Sequence, residues 1–277
     1  MKTSCELSLS SILPDSWQCL TEFIEQQPDV EHFLSSTRNS AIIPNLDLTF
    51  YSLSFSSPHL AKVVILGQDP YPRKESANGL AFCDSAVPGW KSSFPPSLRN
   101  ILLNLLNFTH DLPTNSSISS LRSMLKEINF PAPLDFFLNT SRQRVLWLNS
   151  VLTYENKKSL ATHAKFWRPI VLQIFKLIFF AKLSKSHNHE ELQKGLVVVL
   201  WGKNAQALKE SILESRTCAI KDFITSDSRN ASVALNSVDV EFVEAPHPCF
   251  TPFHRVSSFE MISRAQEKLG QDKIEWV

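Results

Sequence analysis

The stretch 62-KVVILGQDPYP-72 decides the fold. Val63, Val64, Ile65 and Leu66 are apolar on consecutive positions, as in a strand buried on both faces of a parallel sheet. The run ends abruptly in Gly67, Gln68, Asp69, Pro70, Tyr71 and Pro72. A turn needs only the glycine and a proline. The amide, carboxylate and phenol beside them mark a site at a strand end.

Three more β-rich runs follow, 145-VLWLN-149, 196-LVVVL-200 and 239-DVEFVE-244. Helical patterns separate them. After 95-PPS-97, Leu98, Ile101, Leu102, Leu105 and Leu106 recur at helical spacing. Further helices are expected over 166–182, with Pro169 in the first turn, and over about 203–214 and 256–269. Strands alternating with helices predict an α/β fold: a single domain with a central, mostly parallel four-stranded sheet flanked by helices on both faces. The domain spans 1–277, with a core over about 60–265. Residues 1–55 form an N-terminal helical extension, with a helix near 15–34 carrying Trp17, Leu20, Phe23 and Ile24 on one face. Residues 215–238 read as a variable loop or insertion, or as a hidden strand and hairpin. Residues 111–140 read as irregular, broken by Pro113, Pro131 and Pro133.

Composition narrows the function classes. With 43% hydrophobic and 20% charged residues the chain is an ordinary globular one. A net charge of +1 gives no global basic field, so a nucleic-acid partner must be met by a local patch. The five cysteines, Cys5, Cys19, Cys83, Cys218 and Cys249, stand singly. That pattern favours a reduced intracellular chain and disfavours zinc ribbons and iron–sulfur clusters. The start lacks a signal-peptide pattern. The most apolar segment, 166–182, contains Arg168 and Lys176 and falls short of the roughly 20 residues of a membrane span, so no membrane association is expected. The expected location is the cytoplasm if the source is bacterial, and otherwise intracellular. His187 and His189 look metal-like but have no third ligand at motif spacing; they read as a solvated loop, and no metal is expected.

In open parallel sheets, sites form beyond the carboxyl ends of the strands. Here the four strand ends lead into GQDPYP, Asn149-Ser150, Trp201-Gly202-Lys203-Asn204 and Pro246-His247-Pro248. Singly, each has an ordinary reading: Asp69 and Asn149 as turn formers, His247 as a loop histidine, Tyr71 and Phe82 as core aromatics. Gly202-Lys203-Asn204 lacks the glycine-rich run of a phosphate-binding Walker loop.

Together these residues carry a resemblance. GQDPY (67–71), GLAF (79–82), PPSLRNI (95–101), LNSVLT (148–153), LWGKNAQ (200–206) and HP (247–248), followed by Arg255, are similar in kind and order to the first family of uracil-DNA glycosylases. The resemblance covers roughly residues 60–265. It implies flipping of uracil out of DNA and hydrolysis of its N-glycosidic bond in base-excision repair, by a monofunctional hydrolase without metal or cofactor. By the same resemblance Asp69 stabilises the sugar cation and orients water, and His247 donates to uracil O2. Asn149 would read O4 and N3–H together, a pattern that cytosine reverses. Gln68 would contact base or water, Phe82 would stack on the base, and Tyr71 would exclude a 5-methyl group. Pro95, Pro96, Ser97, Gly202, Lys203, Pro248, Phe250 and Arg255 are the implied DNA contacts, with Arg73, Lys74, Lys91 and Arg99 near them in sequence. The implied partner is uracil-containing DNA, single- or double-stranded, bound by a monomer. A protein inhibitor of the glycosylase or a replication partner is also implied.

Three positions depart from the family pattern. Pro72 stands where a histidine is usual, and Lys203 where a serine is usual. After His247 the usual Pro-Ser-Pro-Leu-Ser is replaced by Pro248-Cys249-Phe250-Thr251-Pro252, so Thr251 stands at the position of the leucine wedge. Phe250 or Phe253 is expected to take its place, or both belong to the core. These departures leave a non-catalytic DNA-binding or replication-partner relative as the alternative reading. A glycosylase for another damaged pyrimidine is a third, against which Tyr71 and Asn149 speak.

Overall fold

A computed structural model describes residues 9–28, 30, 42–156, 159–185, 195–226 and 238–277. His187 and His189 lie outside the described residues. The four strands are β1 (Val63–Gly67), β2 (Val145–Asn149), β3 (Leu196–Trp201) and β4 (Val240–Ala245). They pair in parallel in the order β2-β1-β3-β4. Among the described residues the sheet is parallel throughout. The chain goes from β1 to one neighbour, β2, and then crosses to the other side for β3. The switch point therefore falls between β1 and β3, where ligand crevices form in such sheets.

Alternate side chains of β1, β2 and β3 enter two separate cores, which is why these strands are apolar along their length, whereas the edge strand β4 carries Glu241 and Glu244. Val64 and Leu66 of β1, with Leu146, Leu148, Val198 and Leu200, face α4 (Leu160–Lys185) and α5 (Lys209–Ser226). Val63 and Ile65, with Trp147, Val199 and Trp201, face the opposite layer. That layer is built by α1 (Pro96–His110), α2 (Ile118–Glu127), α3 (Pro133–Arg142) and α6 (Ser258–Lys268).

Several elements differ from the sequence reading, each for a local reason. Residues 111–140 are mostly helical. Ser117 caps α2 by accepting from Ser120 N–H, and Pro133 sits in the first turn of α3, so polar residues and proline mark helix starts there. Residues 215–226, read as loop or hairpin, continue α5, with Ala219 and Phe223 packed against the α4 side of the core; residues 227–237 are not described. Helix α4 begins earlier than expected. The Ser159 hydroxyl accepts from the N–H groups of Glu155 and Asn156 just before it, and this places Pro169 inside the helix rather than in its first turn. The N-terminal helix is broken into a 3₁₀ turn, Asp15–Trp17, and a short helix, Leu20–Glu25. The break keeps Trp17 buried, its indole N–H donating to the carbonyls of Leu53 and Ser56. The helix expected from 203 divides into Lys203–Gln206 and α5.

Candidate active site

The loops after β1, β2, β3 and β4 meet at one end of the sheet. Gly67 closes β1 opposite Asn149, the last residue of β2. A Cβ at Gly67 would lie 2.3 Å from Asn149 Oδ1 and 2.8 Å from Ala81 Cβ, so only glycine lets the carboxamide lie across the strand end. The β1 and β2 loops are then joined: Ser150 N–H donates to Gly67 O (2.9 Å), and Val151 N–H (3.0 Å) and the Ser150 hydroxyl (2.9 Å) donate to Gln68 O.

Asn149 is 5% exposed, and among the described residues its side chain has no hydrogen-bond partner. Its polar atoms are not among the fully buried ones that lack a partner, so the carboxamide stays open to the crevice. Asp69, on the adjoining loop, is half-buried and outside every ion pair among the described residues. Desolvation pushes its pKa above the usual carboxylate value of 3.8. The nearby Tyr154, held by paired backbone hydrogen bonds to Ile43, feels the Asp69 charge, which adds to the effect of burial in raising its own pKa.

His247 is fixed at the end of β4. Cys249 N–H donates to its Nδ1 (3.1 Å), and burial lowers its pKa. In the neutral ring an accepting Nδ1 leaves the proton on Nε2, so the imidazole presents an N–H donor. Gly202, at φ 94°, follows β3 and lets that loop pass against the histidine; a Cβ there would lie 2.8 Å from His247 Cβ. Helix α1 carries the loop from beneath. Asn100 Nδ2 donates to Pro248 O (2.6 Å), and Asn104 Nδ2 donates to Val256 O (2.5 Å) while its Oδ1 accepts from Ser258 N–H (3.0 Å).

Phe82 adopts a left-handed backbone, φ 64°, strained for a residue with a Cβ. The ring packs 5.4 Å from Trp201 and 6.2 Å from His247 between centroids, so the strain serves to aim an aromatic face at the histidine. Tyr71 is anchored by its hydroxyl, which hydrogen-bonds with Ser97 Oγ (3.0 Å). Burial holds that phenol neutral well above its usual range.

Asp69, Gln68, Tyr71, Phe82, Asn149, Gly202 and His247 thus come from loops that touch one another. The implied DNA contacts divide. Lys203, Phe250, Pro96 and Arg255 are exposed, whereas Ser97, Gly202 and Pro248 are buried. Ser97 turns its hydroxyl to Tyr71 and can offer a ligand only the N–H it places in the first turn of α1. Arg73 is paired with Asp84 (3.3 Å), and Arg99 donates to Ser116 O (3.3 Å). Phe253 is fully buried against Trp201, whereas Phe250 is 64% exposed, so of the two only Phe250 stands at the surface. Two site residues escaped the sequence reading. Tyr154 carries no signal beyond its place five residues past Asn149. Asn204 donates to Gln68 Oε1 (2.6 Å) across the β1–β3 crevice; its proximity follows only from strand order.

A sheet that is parallel throughout among the described residues, with its site at the switch point joining a half-buried carboxylate, an unpaired carboxamide and an oriented imidazole, defines a class of α/β enzyme. Comparison places it more narrowly. The sequence model of the Uracil DNA glycosylase superfamily matches residues 53–269, and the chain belongs to that superfamily. A uracil-DNA glycosylase of Bacillus licheniformis is 29% identical, with 97% of this chain and 98% of that one covered. Solved structures agree in fold. Mimivirus uracil-DNA glycosylase aligns with a TM-score of 0.65 at 20% identity over 98% of this chain and 90% of that one. A UNG from Nitratifractor salsuginis gives 0.64 at 19% identity, covering 94% and 93%. A mimivirus UNG variant was solved in complex with UGI.

Proposed function

We propose that the chain is a uracil-DNA glycosylase of the superfamily's first family, a hydrolase that removes uracil from DNA and leaves an abasic site. The observation that carries this reading is the Asn149 carboxamide set across Gly67 with no hydrogen-bond partner among the described residues, in the same group of strand-end loops as Asp69 and His247.

The target nucleotide leaves the stack, because neither the base edge nor the scissile bond is accessible in a duplex. Uracil then stacks on Phe82, and Asn149 donates to O4 while accepting from N3–H. Cytosine presents the opposite pattern at both atoms and would leave a buried amide mismatched. Tyr71, pinned through its hydroxyl to Ser97, occupies the space of a 5-methyl group. As the C1′–N1 bond lengthens, positive charge grows on the sugar and negative charge on the base. Asp69 stabilises the first and orients the attacking water. His247 Nε2–H donates to O2, where the second accumulates. Product uracil leaves as the neutral base, and water supplies the sugar hydroxyl. Exposed Lys203 and Arg255, with the N–H groups that open α1, hold phosphates. A protein partner of the UGI kind, bound by a mimivirus UNG variant, is the second class of partner this reading includes.

The deciding experiment is alkali-labile cleavage of a uracil oligonucleotide by the wild-type protein and by Asp69→Asn. The variant should lose about 10²–10⁴ in kcat. Its fold should be no less stable. A carboxyl whose folded pKa is raised stabilises the protein only while protonated, and that contribution is lost as pH rises through the folded pKa. At neutral pH the isosteric amide should therefore keep or raise Tm. Inactivity of the wild type would overturn the reading.

A further inference from the structure

A second cavity, about 790 Å³, lies outside the catalytic cluster, between the 88–92 segment and α2. Its lining includes Trp90, Lys91, Arg122, Lys126 and Phe130 and holds no acidic residue. Lys91 and Lys126 are exposed, and none of the three cations joins an ion pair among the described residues. In a chain of net charge +1, this is an uncompensated concentration of positive charge.

The groove is also rigid. Arg122 donates through Nε to Trp90 O (2.8 Å) and through Nη2 to Ser92 O (2.8 Å), and its guanidinium lies 5.9 Å over the Phe94 ring. The Trp90 indole N–H donates to Pro131 O (2.7 Å), and the ring sits edge-on to Phe94 and Phe130, each at 5.8 Å. These bonds consume donors without neutralising charge, since carbonyls carry none. They also fix an aromatic ring beside free cations.

The 88–92 segment runs directly into Pro95-Pro96-Ser97. Ser97 is five positions on from Ser92, so the groove ends at most about 18 Å from that turn. At 3.4 Å of rise per nucleotide, this is about five nucleotides along a stacked strand.

We propose that this groove takes the DNA strand flanking the target, as single-stranded DNA, with phosphates against Lys91 and Lys126 and a base against the Trp90 ring. A fixed aromatic surface inside a cationic track is the arrangement that holds unpaired strands without sequence preference. The proposal rests on the glycosylase reading and adds to its DNA substrate a separate groove for the flanking strand.

The test uses the double variant Lys91→Ala/Lys126→Ala beside wild type, with fluorescently labelled single strands. One set carries two nucleotides on each side of uracil, and the other about ten. Anisotropy reports binding and alkali-labile cleavage reports activity. Wild type should bind the long strand more tightly than the short one. The variant should lose that gain, roughly tenfold at 0.1 M salt, and its log–log salt slope on the long strand should shrink by about 1.4. Its Tm and its short-strand kcat/KM should match wild type. Equal affinity of wild type for both lengths, or a variant that keeps the gain, would overturn the proposal. So would competition by polyglutamate without any effect of DNA length, which assigns the groove to an acidic protein. Absence of cleavage with the length effect intact would count against the glycosylase reading and leave the groove standing.

Discussion

The loop after β1 and the loop after β4 carry Asp69 and His247, the two candidate reacting groups, yet they are built in opposite ways. In the first, Pro70 is buried, Gln68 and Asp69 are half-buried, and the backbone is bonded to the β2 loop at three points. In the second, His247 is held firmly from beneath by α1, while Cys249, Phe250, Thr251 and Pro252 face solvent. Burying a phenylalanine gains about 1.5–3 kcal/mol, and Phe253, three residues on from Phe250, takes that gain inside the fold. Phe250 does not. The contrast separates a loop whose work is chemistry from a loop that carries chemistry at its base and an unspent apolar surface at its tip.

The largest effect should come from breaking the base of the second loop. Phe253→Ala should cost about 3–5 kcal/mol of stability, seen as a lower midpoint in urea unfolding, and should reduce activity on every substrate alike. If stability is unchanged, Phe253 does not anchor the loop.

His247→Ala should lower kcat by about 10²–10³ with little change in Tm, since it removes a donor made for the departing base. The pH profile sharpens the point. Burial raises the pKa of Asp69 and lowers that of His247, each by penalising the charged form. As pH falls, Asp69 protonates above the usual 3.8 and activity should decline from there. An acid limb at or below 3.8 in kcat/KM would contradict the buried setting.

Phe250→Ala tests the tip. It should slow excision from duplex DNA about tenfold, because opening a step costs a few kcal/mol that the ring helps recover. On single-stranded DNA it should do nothing. An equal effect on both would show that the ring acts on the site rather than on the stack. The smallest change belongs to the β3 loop. Lys203→Ser should reduce the salt slope for duplex binding by about 0.9, the share of a single phosphate contact, and leave kcat alone.

Much of this was legible in the chain because burial and chemistry write local patterns. Consecutive apolar residues at 63–66 and 196–200 located β1 and β3 to within a residue, since a strand covered on both faces admits no polar alternation. Gly67, Asp69 and Asn149 were visible because each ends or follows such a run, and His247 because it follows the β-rich 239-DVEFVE-244. Helices α2 and α3 were not, because Pro131 and Pro133 signal breaks equally well whether they end one helix or start the next. The continuation of α5 to Ser226 was hidden by the polar residues between Ala219 and Phe223, whose burial depends on α4 lying opposite.

By itself, the sequence determined the class of fold, the strand ends that meet in the candidate site and the superfamily. Only the tertiary structure decided between Phe250 and Phe253, turned the Ser97 hydroxyl inward to Tyr71, and brought Asn204 to Gln68 across 136 positions. The reason is physical. Strand and helix patterns depend on neighbours within a few residues, whereas which of two phenylalanines is buried, and which amides meet, depends on the order in which distant strands are laid side by side.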